Sequence, residues 1–202
     1  MISISDYIER FRILFPTLNA EAPWHITAHL GEIIMERMSQ LGPGFKISDN
    51  VAIHESVAIG SHATIKGPAI ISANCFVGSH AYLRGGVFLD EKVSIGPACE
   101  VKTSLLFNRA ALGHFNFVGD SIVGAHVNLE AGAIIANHYN ERADKTIRAI
   151  LEETIYEADV EKFGALVGDR TKIGANAVLS PGTILKPDTI VRRLQLIEQL
   201  PA

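Results

Sequence analysis

The sequence predicts a mainly β protein built as a parallel solenoid of short strands, and three observations predict it. Every sixth residue from Ile47 through Ile53, Ile59, Ile65, Ile71, Val77, Leu83, Leu89, Ile95 and Val101 is aliphatic. Four residues after most of these stands a second, generally small residue, among them Val51, Ala63, Ala69, Cys75, Ala81, Val87, Cys99 and Leu105. An α-helix wants apolar spacings of three and four, and a single strand wants alternation, so a sustained period of six fits neither. Three short strands per triangular coil, about 18 residues per turn, satisfy the pattern. Successive coils then hydrogen-bond about 4.8 Å apart and the aliphatic side chains stack inside the prism.

Ahead of the repeat, residues 1–46 read as an N-terminal helical extension. Helices are expected around Ser5 to Leu14 and Pro23 to Met38, the second with Pro23 in its first turn and an apolar set of Ile26, Leu30, Ile33 and Ile34. Gly42-Pro43-Gly44 stops it. The solenoid is expected over 47–191, with glycines such as Gly60, Gly78 and Gly96 easing the corners. Its register slips between Asn108 and Asn116 and resumes with Phe117, Val123, Leu129 and Ile135. Residues 136–165 are a long loop excursion, of the kind that on rigid scaffolds carries function or contacts. Val167, Ile173, Leu179, Leu185 and Val191 restore the repeat, and 192–202 are expected to cap the last coil as a short helix.

Composition narrows the function classes. A formal net charge of -4, from 18 basic and 22 acidic residues, argues against a nucleic-acid footprint or attraction to an anionic membrane. Asp6, Glu9, Arg10 and Arg12 interrupt the first residues, so these do not read as a secretory signal, and a cytoplasmic location is expected. Cys75 and Cys99 fall in interior slots more than one coil apart, and no disulfide is expected. The eight histidines do not show a metal-ligand spacing, so no metal is expected; His62 and His80, 18 apart, should stack on one face.

Some residues suit a group-transfer chemistry. His114 stands at the register break, and a histidine titrating near neutrality can take a proton from an amine nucleophile. Arg84 offers a bidentate fork and Lys102, 18 residues on and one coil later, a point charge for a phosphate. Asn128 and Asn137 carry amides able to orient a sugar hydroxyl or steady an oxyanion. Each type also has a plain structural use, as a turn cap, a solvated charge or an asparagine ladder.

The segments Gly113-His114-Phe115-Asn116-Phe117-Val118-Gly119-Asp120, Val127-Asn128-Leu129-Glu130-Ala131-Gly132, Ala136-Asn137 and Phe163-Gly164-Ala165-Leu166-Val167-Gly168-Asp169 resemble one family. It is the hexapeptide-repeat acyltransferases, in the form of the glucosamine-1-phosphate N-acetyltransferase half of bifunctional N-acetylglucosamine-1-phosphate uridyltransferases. The resemblance runs from about Gly78 to Val191 and implies a left-handed helix, a homotrimer and acetyl-coenzyme A as co-substrate. It makes His114 and Asn137 catalytic, and Arg84, Lys102, Phe117 and Asn128 binders of a sugar phosphate. Acetyl-coenzyme A falls to Asp169, Ser180 and Lys186, near the basic residues Arg170, Lys172, Arg192 and Arg193. The chain departs from the family where Phe117 replaces a tyrosine and where Asn137-His138-Tyr139-Asn140 replaces Asn-Tyr-Asp-Gly. Its first 46 residues do not hold a nucleotide-binding fold, so a separate nucleotidyltransferase partner is implied. Two other readings remain open: a sugar O-acyltransferase or longer-chain acyltransferase, and a non-catalytic sugar-nucleotide-binding scaffold.

Overall fold

A computed structural model describes residues 2–151 and 153–200. The chain folds as a left-handed parallel β-helix with a few short helices. Three walls repeat in order along each coil. The first wall comprises Val51–His54, Ala69–Ile71, the later halves of Tyr82–Leu89 and Glu100–Leu106, then Ile122–Val123, Ala165–Val167 and Thr183–Leu185. The second comprises Ala58–Ile59, Phe76–Val77, Ser94–Ile95, Ala111–Leu112, Asn128–Leu129, Lys172–Ile173 and Ile190–Val191. The third comprises Thr64–Ile65, the earlier halves of the two long strands, then Phe117–Gly119, Ile134–Ile135, Val178–Leu179 and Leu196–Ile197.

The interior is the stacked series that the period of six predicts, from Ile71, Val77, Leu83 and Leu89 to Ile173, Leu179 and Val191. Three details differ from the sequence reading. Ile47 is not a rung; it lies in Phe45–Ser48, an antiparallel strand that folds back on Val51–His54 through Asp49 and Asn50, both at positive φ as a tight hairpin needs. The register slips earlier than expected, because Leu106 rather than Phe107 follows Val101 inside and Val118 rather than Phe117 follows Leu112. Shortened corners at 102–105 and 119–122 absorb the lost residues, and Leu105 turns outward. The glycines at the corners serve close approach rather than positive φ: a Cβ on Gly78 would lie 2.7 Å from the carbonyl carbon of Gly96 in the next coil.

The outer side of the first wall is also apolar. Ala52, Ile70, Phe88, Leu105, Ile122, Leu166 and Ile184 face outward there and are buried in a second core. The N-terminal extension supplies most of the cover through α1 (Phe11–Leu14), α2 (Pro23–Ala28) and α3 (Leu30–Met38). The excursion supplies the rest: an antiparallel pair, Ile147–Leu151 with Thr154–Ala158, adds Ile147, Ala149 and Ala158 to the same core. Burying each large side chain of that wall contributes on the order of 2 kcal/mol. Polar tethers fix the cover in register. Arg10 Nε donates to Asp90 at 2.7 Å, and Arg37 lies over the rings of Phe15 and Phe88. The N-terminal helices therefore close one wall of the prism, leaving the second and third walls bare.

The C-terminal segment corrects an expectation. Residues 194–197 do not form a capping helix but extend the repeat, since Ile197 stands six after Val191 and Leu196 pairs with Val178. Gln199 then bonds both backbone groups of Ile184, and Arg142 of the excursion pairs with Glu198. Residues 201 and 202 of the expected cap lie outside the described residues.

Candidate active site

The corner between the third and first walls gathers four of the nine expected site residues. In the long strands Arg84 sits in register beside Lys102, and the next coil places Gly119 beside Lys102. The strand bends after Arg84 at Gly85 and Gly86, at φ +72° and +99°, where α3 comes so close that a Cβ on Gly86 would lie 3.2 Å from the Gly31 nitrogen. Arg84 Nη2 meets Glu100 Oε1 at 2.6 Å. Lys102 Nζ meets Asp120 Oδ2 at 2.6 Å, with both side chains largely withdrawn from solvent. Asn137 Nδ2 donates to the same Asp120 oxygen at 2.5 Å. The Phe117 ring and the Asn137 amide close over Gly119, where a Cβ would meet each of them under 3.0 Å. The structure thus brings Arg84, Lys102, Phe117 and Asn137 together. Glu100 and Asp120 join them, and the sequence reading missed both. The signal was there, because Asp120 stands 18 residues after Lys102, the nominal length of a coil.

His138 extends the group outward. Its Nδ1 lies 3.4 Å from Asn137 Oδ1, and it opens into a cleft of about 640 Å³ between the start of the excursion and residues 157–162. Lys145, Thr146 and Lys162 supply donors along that cleft, and Glu157, Asp159 and Glu161 supply carboxylates.

His114 and Asn128 stand elsewhere. His114 is exposed at the corner between the second and third walls, its ring edge-on to Phe115 at 5.8 Å and its carbonyl accepting from Gly132. Asn128 faces out from the second wall between Ala111 and Lys172. Gly119, beside Lys102, comes five residues after His114, so within one chain the imidazole and that cation are on the order of 15 Å apart across the third wall. His62 and His80 stack on this same corner with centroids 5.1 Å apart.

The residues expected to hold the coenzyme divide. Asp169 is buried, its oxygens accepting from the amides of Ala125 and Glu9, and burial pushes its carboxyl above the usual range. Its carboxylate therefore tethers the N-terminal segment to the solenoid rather than facing a ligand. Ser180 is buried at the last coil, its carbonyl held by Thr183, while Lys186 is exposed beside Pro187. Of the basic cluster, Arg170 forms a bidentate pair with Asp188 and Arg193 one with Glu130. Lys172 and Arg192 stay exposed.

The chain is thus a parallel triangular β-helix carrying a cation–carboxylate–amide cluster on an outer corner. Comparison with known proteins sharpens that. Residues 65–161 match the GMPPB C-terminal domain. The chain is 29% identical over 205 residues to the bifunctional protein GlmU of Nostoc sp., an alignment covering 94% of this chain and 36% of that protein. It is 31% identical over 163 residues to the uncharacterized acetyltransferase YaiX of Escherichia coli O6:K15:H31, covering 76% of this chain and 70% of that protein. Among solved structures, a point mutant of perosamine N-acetyltransferase from Caulobacter crescentus, in complex with CoA and GDP-perosamine, aligns at 16% identity. That alignment has a TM-score of 0.40 and covers 71% of this chain and 49% of that one. The chain belongs to the hexapeptide-repeat acyltransferase family. It spans about a third of the length of the bifunctional relatives it matches.

Proposed function

We propose that this protein transfers the acetyl group of acetyl-coenzyme A to the amine of a phosphorylated amino sugar. The observation that carries the reading is the corner cluster, where Arg84 and Lys102 stand in register on adjacent coils and Asp120 ties Lys102 to Asn137. Arg84 and Lys102 are the cations for the sugar phosphate, and the Phe117 ring offers a flat apolar wall beside it. The amine nitrogen attacks the thioester carbonyl carbon while His114 accepts its proton, and the carbon–sulfur bond breaks as the thiolate leaves and is protonated. Asn137, held by Asp120, keeps its carbonyl oxygen to orient the amine. Asn128 binds the sugar, and Ser180 and exposed Lys186 take the coenzyme at the C-terminal coils.

The working unit is a homotrimer. One chain separates His114 and Asn128 from the corner cluster, while its second and third walls expose Phe76, Phe115, Ile190, Leu194 and Leu196. A threefold axis sets the His114 corner of one copy against the third wall of the next and completes each site. A separate nucleotidyltransferase joins the nucleotide to the sugar phosphate, before or after the acetyl transfer. No helix among the described residues is long and apolar enough to cross a membrane.

Free-thiol release from acetyl-coenzyme A in the presence of glucosamine-1-phosphate tests the reading. Turnover that requires the amino sugar supports it. Release no faster than spontaneous hydrolysis, across a panel of amino-sugar phosphates, overturns it.

A further inference from the structure

The cation column at the corner is longer than a single phosphate requires. Thr64 and Ile65 pair with Tyr82 and Leu83, which sets Lys66 beside Arg84 as Arg84 is set beside Lys102. Lys66, Arg84 and Lys102 thus occupy one position on three successive coils, about 4.8 Å apart per step. The column ends at Gly119, which has no side chain to continue it.

The three cations are not held alike. Glu100 takes Arg84 and Asp120 takes Lys102, each at 2.6 Å. Lys66 is exposed and has no carboxylate partner among the described residues. Its ammonium instead lies 5.3 Å from the Tyr82 ring centroid, and the Arg84 guanidinium 5.6 Å from the same centroid. Tyr82 therefore steadies two like charges on neighbouring coils through its ring face, and keeps Lys66 directed along the third wall toward Arg84. Glu100 and Asp120 offset Arg84 and Lys102, so Lys66 is the charge of the column that is left for an anion to offset. A monophosphate between Arg84 and Lys102 lies more than one coil from Lys66 and leaves it idle; two phosphates in line along the solenoid axis engage all three.

We propose that Lys66 is a third phosphate-binding residue, and that the acceptor carries a pyrophosphate, as a nucleoside-diphosphate amino sugar does. The inference rests on the acetyl-transfer reading for the identity of the acceptor, but the subsite itself is a matter of binding. Its test is therefore separate from turnover. Uridine diphosphate, guanosine diphosphate and glucosamine-1-phosphate are titrated calorimetrically, at one fixed salt concentration, into the wild-type protein, Lys66→Ala, Lys66→Arg and Lys46→Ala, the last removing an exposed lysine outside the column.

The expected result is that at least one nucleoside diphosphate binds the wild-type protein more tightly than glucosamine-1-phosphate does. Lys66→Ala then weakens that diphosphate about tenfold and leaves the monophosphate within about twofold, while Lys66→Arg and Lys46→Ala stay near wild type. An equal loss for both ligands in Lys66→Ala, an equal loss in Lys46→Ala, or tighter binding of the monophosphate by the wild type overturns the proposal. Should every acceptor fail to release thiol while diphosphate binding still depends on Lys66, the acetyl-transfer reading falls and the pyrophosphate subsite stands.

Discussion

Lys102 and Asn137 meet on a single oxygen of Asp120, at 2.6 and 2.5 Å, although 35 positions of chain and two coils separate the two donors. The carboxylate thereby couples the phosphate-binding side of the corner to the first residue beyond Ala136, where the excursion leaves the solenoid. Asp120 itself sits at φ +46°, a conformation asparagine and aspartate tolerate better than most residues. This lets the substitution Asp120→Asn change charge with little backbone strain.

Asp120→Asn leaves the largely buried Lys102 ammonium without its counter-charge. We expect a loss of about 2 kcal/mol in urea denaturation, less than for a fully buried pair because Lys102 retains some contact with water. Turnover should fall with KM rising more than kcat falls, since the lysine that positions the phosphate is no longer fixed. A variant with wild-type stability and unchanged KM would show that the Lys102–Asp120 contact plays no part in the site.

The doubly buried first wall gives a contrast between two phenylalanines. Phe88 packs against Phe15 at a 5.3 Å centroid separation and lies within reach of Phe107 and Arg37, whereas Phe115 is 67% exposed. Phe88→Ala should cost about 3–5 kcal/mol by loosening the N-terminal cover, and Phe115→Ala should leave the stability of the single chain almost unchanged. Chemical denaturation followed by tryptophan fluorescence reads both, because Trp24 lies in the same cover. Equal effects would mean that the N-terminal extension does not seal this wall.

How far the sequence was legible follows from these same residues. The inward rungs were readable because one orientation repeated every six residues suffices to define them. At Leu105-Leu106-Phe107 three consecutive apolar residues satisfy any register, so periodicity could not choose; packing under the N-terminal helices takes Leu105 and Phe107 outward and sends Leu106 in. The apolar doublets Ile70-Ile71, Phe88-Leu89, Ile122-Val123, Leu166-Val167 and Ile184-Leu185 were the unread sign of a wall buried on both sides. Arg84 and Lys102 could be placed together because coil length sets who stacks on whom, whereas Asn137 was carried only by the family resemblance and His114, expected on the same outer wall as the two cations, stands at the far corner of the third wall. The role of Asp169 could not be read, since it depends on the Glu9 amide, 160 residues away and brought close only by the fold.

Cys75 allows a chemical check on the closed prism. It is buried and donates to the Asp90 carbonyl, and burial pushes its thiol up to about 12. At pH 8 almost none of it is thiolate, so a disulfide reagent should leave the folded protein nearly unlabelled and react rapidly in denaturant. Rapid labelling of the native protein, mapped to Cys75, would indicate that the coils open at that rung.

The excursion carries an acid-sensitive contact. The Thr146 side chain and amide, together with Arg148, hold the Asp144 carboxyl down to about 2. A carboxyl depressed in the folded state contributes stability above its unfolded pKa, near 4, and loses it as pH falls toward 2. Because the group is exposed and screened, the effect belongs to the excursion rather than to the whole fold. Amide exchange in 144–158 should accelerate between pH 4 and pH 2, after correction for intrinsic rates, more at low salt than at high, and Asp144→Asn should abolish the difference. Uniform protection across that range would refute the contact.

The separation of His114 from Lys102 within one chain makes a stronger prediction about where the reaction occurs. His114 is exposed and its side chain lacks a hydrogen-bond partner among the described residues, so His114→Ala should fold and melt like the wild type while acetyl transfer drops about a hundredfold. Lys102→Ala should be similarly impaired through the sugar phosphate. If each site takes its histidine from one copy and its lysine from the next, trimers reassembled from equal amounts of the two variants contain about a quarter of sites with both residues intact. Mixing two nearly inactive proteins should then recover about a quarter of wild-type activity after a cycle of dissociation and reassembly, and none without it. Recovery that never exceeds the sum of the separate variants would place His114 and Lys102 in a site supplied by one chain, or remove one of them from the reaction.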